Sequence, residues 1–150
     1  MERKIYLDEI LIIPCSILFA NIWKPKKIDN SAGIYFLSGL FPKDDKETVG
    51  KVVSAIEKLK KENSDINITL PSTLRDGDVD RPEDNRFTGM FYINTSTKER
   101  PEIIDSHRNT IYNPQECVSG DFCNVGIKPY IFVNGRDAGI SAELKMIQKL

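Results

Sequence analysis

The sequence predicts a mainly β fold, a small barrel or sandwich with one inserted helix, and three observations predict it. Apolar residues recur at every second position through several short runs, a three-to-four-residue period occupies a single stretch, and long polar connections separate the runs. With 150 residues, 40% of them hydrophobic, the chain can bury one core and is too short for two ordinary domains. We therefore expect one domain over residues 1–150.

Each element follows from its own pattern. Residues 10–23, ILIIPCSILFANIW, are rich in Ile, Leu and aromatics and read as a strand bent or begun at Pro14. KPKKIDNSAG is a loop by its prolines, asparagine and glycine, and carries Lys24, Lys26 and Lys27. IYFLSGLFPK is a second strand, with Tyr35, Leu37, Gly39 and Phe41 on one face and Ile34, Phe36, Ser38 and Leu40 on the other. From Asp44 the period changes. Val49, Val52, Val53, Ile56 and Leu59 define a helix over about 44–62, and Asp44 with Glu47 has capping-box spacing. The five lysines of this stretch balance its five acids, which describes a solvated face.

Residues 63–86 read as a long polar connection. FTGMFYINTST is a strand in which Met90, Tyr92 and Asn94 alternate with Phe91, Ile93 and Thr95. PEIIDSHRNTIY reads as a short hairpin around Ser106 to Asn109, and CVSGDFCNVGIKPYIFVN as a long strand bent at Gly126 or Pro129. Asn134-Gly135 then marks a hairpin turn. The closing ISAELKMIQKL fits a helix or a strand equally well by periodicity.

The formal charge of −1 gives no global field toward polyanions, so any such site must be local. Cys15, Cys117 and Cys123 lack C-x-x-C spacing and have only His107 to join them around a metal. They read as small buried hydrophobes in a reducing compartment. The N-terminus has basic residues before an apolar run, but Asp8 and Glu9 interrupt it, no cleavage signal follows, and no run is long enough to span a membrane. The expected location is cytoplasmic, with no membrane partner.

The stretch LRDGDVDRPEDNRF, residues 74–87, holds five acids and three arginines. Asp76, Asp78 and Asp80 alternate like the start of a calcium loop, yet Arg81 and Phe87 stand where that loop needs glycine and glutamate. Consecutive acids interleaved with arginines make turn hydrogen bonds and ion pairs more readily than a two-metal nuclease centre. There is no phosphate-cradling glycine loop and no G-x-S-x-G, and His107 has no nucleophile to serve. We assign no catalytic residue, no metal and no cofactor, and expect a protein that is not an enzyme.

What remains is binding, in which flat rings stack on bases and cations follow phosphates. Charge and alternation nominate Trp23, Lys24, Lys26, Lys27, Phe36, Arg75, Arg81, Arg86, Phe91, Tyr92, Asn94, Lys98 and Arg100. The loop from Pro71 to Arg86 is itself net negative, and its acids are expected to orient its arginines.

In order along the chain stand NIWKPKKID, FPKDDKETV, AIEKLKKE, LRDGD with RPED, GMFYINTS followed by RP, IID, and GISAEL with IQKL. From about Asn21 to Leu150 this order and spacing resembles the phage and prophage family of single-stranded-DNA-binding proteins. The resemblance implies an OB-fold, a five-stranded Greek-key barrel, and makes the C-terminal segment a strand. It places Arg75, Asp76 and Asp78 in the LRDGD motif and Asn94 in the strand motif. It implies a protein of the bacterial host cytoplasm that coats single-stranded DNA during phage replication or recombination. Duplex DNA or RNA would be weaker ligands, replication or recombination proteins further partners, and a homodimer a candidate assembly. Many such proteins end in an acidic tail, whereas this sequence ends at KMIQKL, which leaves recruitment by that route unsupported. The competing readings are a structural or partner-binding phage β-domain using the same face, and a metal-dependent nuclease acting through Asp76, Asp78 and Asp80.

Overall fold

Strand alternation places half of each predicted run inside a closed sheet. The computed structural model describes residues 2–27 and 33–150; the middle of the predicted lysine loop, residues 28 to 32, lies outside the described residues. The strands are β1 (Glu2–Tyr6), β2 (Leu11–Lys26), β3 (Ile34–Pro42), β4 (Leu74–Asp76), β5 (Met90–Thr97), β6 (Glu102–Ile104), β7 (Phe122–Asn134) and β8 (Asp137–Lys149). Helix α1 (Lys46–Glu62) joins β3 to β4, and the one-turn helix α2 (Gly77–Asp80) follows β4.

The sheet runs β7-β2-β3-β5-β8, and β8 pairs back onto β7, closing a ring of five strands. β5 and β8 meet in parallel at Ser96 and Glu143; the other contacts around the ring are antiparallel. This is the expected five-stranded OB barrel. Its interior is filled by Ile13, Cys15 and Ile17 of β2, Leu37 and Phe41 of β3, Ile93 of β5, Val125 and Ile131 of β7, and Ile140, Leu144 and Ile147 of β8. Helix α1 adds Val52, Ala55, Ile56 and Leu59 to that core, and Lys51 caps the contact by donating to the Ile12 carbonyl at 2.8 Å. All three cysteines are free and buried, and burial pushes the Cys15 thiol up to about 12.

The C-terminal segment is a strand, paired with β7 along its whole length. The bend predicted at Gly126 or Pro129 is a register shift between Gly126 and Ile127, where a Cβ on Gly126 would stand 2.6 Å from Met146 Cγ. The turn at Gly135 has φ +63, as an Asn-Gly hairpin requires. Residues around 106–109 form a tight return: β6 ends at Ile104 and a single bridge joins Ile104 to Thr110.

Three expectations need correction. The helix cap is Asp45, one residue later than predicted. Its carboxylate accepts from the Thr48 backbone N–H at 3.2 Å and from the Thr48 hydroxyl at 2.6 Å, and Thr48 is buried. The connection at 63–86 is not featureless, since β4, α2 and the start of a 3-10 turn at Asn85–Phe87 lie within it. And β1, charged and without apolar alternation, was absent from the predicted elements. It forms by pairing with the outer half of β7 from Glu2↔Asn134 to Tyr6↔Tyr130, with the Tyr6 and Tyr130 rings 5.0 Å apart. No helix of the described residues is long and apolar enough to cross a membrane.

Candidate nucleic-acid interface

The outer face of β3 and β5 is set by the alternation that fills the core. Leu37 and Phe41 point inward, so Phe36, Ser38 and Leu40 point outward. Across the ladder they face Ser96, Asn94 and Tyr92 respectively, and β2 extends the same surface with Leu18 opposite Ser38 and Asn21 opposite Phe36. At its centre the Ser38 hydroxyl donates to Asn94 Oδ1 at 2.6 Å. Asn94 is exposed, and its amide N–H groups have no acceptor among the described residues, which leaves them open to one outside.

Toward one end, the segment from Gly77 to Phe87 folds over this face. Leu18, Leu40, Phe87 and Tyr92 form a small buried cluster of their own, separate from the barrel core. Gly77 permits the fold-over, because a Cβ there would lie 2.5 Å from the Phe87 carbonyl oxygen and 2.8 Å from that of Met90. The acids of the opening motif are braces. Asp76 accepts from Lys43 at 2.6 Å and from the Asp78 backbone N–H at 3.0 Å. Asp78 accepts from Lys43 at 2.8 Å and from the Gly89 backbone N–H at 3.0 Å. Asp80 takes both Arg75 Nε at 2.8 Å and the Tyr92 hydroxyl at 2.9 Å on one oxygen. Asp84 holds the Arg86 side chain through two bonds, at 3.0 and 2.7 Å. Donation from Lys43 holds the Asp78 carboxyl below its ordinary value, Arg75 then Tyr92 do so for Asp80, and Arg86 does so for Asp84. Asp78, Asp80 and Asp84 therefore aim at three different cations, Lys43, Arg75 and Arg86, and Asp76 shares Lys43 with Asp78. Among the described residues no group of three or more His, Cys, Asp or Glu is placed to hold a metal.

Arg81 differs from its neighbours. It makes no ion pair among the described residues, and its guanidinium lies 5.3 Å from the Phe19 ring centre and 5.5 Å from that of Phe87. Arg86 also stands 5.3 Å from Phe19. Phe19 is 41% exposed and stacks on Phe87 at 6.2 Å and 21°. Its φ of +52 is unusual for a bulky residue, and it sits where the β2–β3 register shifts between Leu18 and Asn21. The bulge is fixed from outside by Ser119, whose hydroxyl accepts from the Ala20 N–H at 2.9 Å. Phe19 is not among the residues the sequence nominates. An aromatic inside an apolar run looks like core, and no glycine or proline marks the bulge.

The predicted residues fall in several places. Lys24, Lys26 and Lys27 lie at the end of β2, with Lys26 Nζ 5.9 Å from the half-buried Phe36 ring. Arg75, Arg81, Arg86, Tyr92 and Asn94 lie on or around the outer face, but Tyr92 is only 5% exposed, covered by the 77–87 segment, with no open ring face. Phe91 is a correction. Its neighbour Tyr92 takes the outward position, so Phe91 turns toward Phe41 at 6.3 Å and packs against the core, with Lys43 at 5.4 Å from its ring. Trp23 and Arg100 stand apart on a different groove, and Lys98 is exposed just past the end of β5.

Known structures share this architecture. The single-stranded DNA-binding protein from bacteriophage Enc34, solved as a C-terminal truncation and in complex with ssDNA, superposes with a TM-score of 0.79 at 23% identity. In each case 99% of this chain is covered, with 84% and 85% of those chains respectively. The single-stranded DNA binding protein gp2.5 encoded by bacteriophage T7 gives 0.59 at 16% identity, over 95% of this chain and 92% of that one. No curated protein sequence matches at a significant level. The sequence pattern described as Enterobacter phage Enc34, ssDNA-binding protein, matches residues 9–150, and this match, spanning every strand of the closed barrel, establishes that the chain belongs to that family.

Proposed function

We propose that the protein coats single-stranded DNA along the outer face of β3 and β5, as one nucleic-acid-binding domain and without catalysing a reaction. Membership of the family carries this reading, and the structure of its Enc34 neighbour in complex with ssDNA supports it. The geometry supplies the parts. Lys24, Lys26 and Lys27 follow phosphates at one end of the face; Phe36 and Asn94 meet bases in the middle; Arg81 and Arg86, with Phe19, meet the strand at the other. Asp80 and Asp84 position Arg75 and Arg86 rather than repel the strand. Lys98 adds a cation past the end of β5.

Held this way, DNA is gripped by backbone and base faces, so affinity is largely independent of sequence and falls with salt. We place this activity in phage replication or recombination in the host cytoplasm, with duplex DNA and RNA as weaker ligands. Replication proteins and a second copy of the chain are its candidate partners. The test is a salt-titrated binding curve with fluorescent oligo-dT. Affinity that is absent, or unchanged between low and high salt, would refute the mechanism.

A further inference from the structure

The part of β2 beyond its bulge carries a second aromatic surface that the β3–β5 face does not use. Trp23 lies there, half-buried against the core, and its indole N–H donates to the Cys117 carbonyl at 2.9 Å, which fixes the ring. Across a hollow of about 230 Å³ it faces Arg100, Pro101, Ile103, Ile111 and Tyr112, with Glu102 the one acid on the wall. Tyr112 is 81% exposed, a large flat side chain left in water. Arg100 makes no ion pair among the described residues.

We propose that this groove is a further nucleotide subsite, in which one base of a bound strand stacks between Trp23 and Tyr112 and the adjoining phosphate lies at Arg100. The proposal rests on the reading of the β3–β5 face as the DNA path and lengthens that path. β2 connects the two surfaces: Lys26 stands over Phe36 on the face, Lys24 comes next, and Trp23 follows it. A strand leaving the face past Phe36 therefore meets two cations and then the groove. An apolar floor, two flat rings and a guanidinium with no ion pair among the described residues match a base with its phosphate, whose recognition uses those two contacts together. Trp23 is then a stacking residue, but in a place distinct from the barrel face.

Trp23 is the sole tryptophan of the sequence, so its emission reports on this groove in the unaltered protein. Wild-type protein is titrated with oligo-dT of about 16 nucleotides, the upper end of site sizes for one such barrel, while anisotropy of a labelled copy records binding as a whole. The expected result is quenching of Trp23 with the same midpoint as the anisotropy. Oligonucleotides bearing 5-iodouracil should photocrosslink to Trp23 or Tyr112. Tyr112→Ala, at a position too exposed to disturb folding, should weaken binding by at least about fivefold, the low end of one lost stacking contact. Binding by anisotropy with unchanged emission, and crosslinks confined to Phe19 and Phe36, would overturn the groove while leaving the face intact. Absence of any anisotropy change would instead remove the face reading, and the groove with it.

Discussion

Tyr92 and Asp80 share a hydrogen bond of 2.9 Å, and the carboxylate oxygen that accepts it also accepts Arg75 Nε at 2.8 Å. One acid thus ties a buried ring of the barrel face to a cation on the strand beside it. Directly across the ladder, Arg75 pairs with Tyr92, so the three side chains form a closed brace at the edge of the proposed path.

The brace has a pH signature. The folded-state values of Asp78, Asp80 and Asp84 are all lowered from 3.8 by their cationic and hydrogen-bond partners. A depressed carboxylate contributes stability that is fully present above its unfolded value and lost as pH falls through its folded value. Urea unfolding is therefore expected to show constant support from these groups from pH 7 down to about 5, then a decline below about pH 4. Asp80→Asn should flatten part of that decline. A variant whose acid profile overlays wild type would show that the brace does not stabilise the fold.

The arginines of the loop should separate by function. Arg75→Ala breaks the brace and is expected to lower the melting temperature. Arg81→Ala breaks no ion pair among the described residues, so it should keep the melting temperature and lose affinity. If Arg81 neutralises one phosphate, the slope of log affinity against log salt should shrink by about 0.7. An unchanged slope would place Arg81 off the DNA path.

Phe19 is expected to behave as a binding residue held in a strained backbone. Phe19→Leu keeps an apolar contact on Phe87 but removes the ring. Loss of one stacking contact costs roughly 1–3 kcal/mol, or about 5- to 150-fold in affinity. Fluorescent oligo-dT binding at fixed salt reads this directly, and a change under about twofold, well below that range, would return Phe19 to a packing role.

Much of this was legible in the sequence, and the misses share a cause. The alternation of β3 and β5 assigned Phe36, Ser38, Tyr92 and Asn94 to common faces because a period of two survives pairing unchanged. It could not say which face is inside, and so Phe91, which packs against the core, stood among the candidates beside outward-facing Tyr92. The Phe19 bulge and the edge strand β1 depend on partners roughly a hundred residues or more away, Ser119 and β7, and no local pattern encodes them. The acids of LRDGD carry their answer in side-chain geometry: the motif announces a turn, but only the fold brings Lys43 to Asp76 and Asp78. Resemblance to a family fixed what periodicity left open, the C-terminal strand.

Gly77 should resist replacement for a reason independent of DNA. A Cβ there would press on two backbone oxygens that have no flexible end to move. Gly77→Ala is expected to cost about 1–3 kcal/mol, as for other overpacked sites, or a fall of a few degrees in melting temperature. Gly50→Ala is the control, since nothing lies within 4 Å of its Cβ position on α1. A Gly77→Ala variant as stable as wild type would mean that the cover segment is free to shift.

Asn94 offers the sharpest test of where the polyanion runs. Asn94→Asp keeps the size of the side chain and places a negative charge at the centre of the face, beside Ser38. On the DNA path, that charge faces phosphates within a Debye length, and screening should relieve it. Asn94→Asp is therefore expected to bind oligo-dT more weakly than Asn94→Ala at low salt, with the gap closing as salt rises. Ser38 still has an acceptor in the Asp variant, and Asn94 is exposed, so that protein should melt near the wild-type temperature, whereas Asn94→Ala takes the acceptor from the buried Ser38 hydroxyl and should melt somewhat lower. Equal affinities for the two variants across the salt range would move the strand off the β3–β5 face.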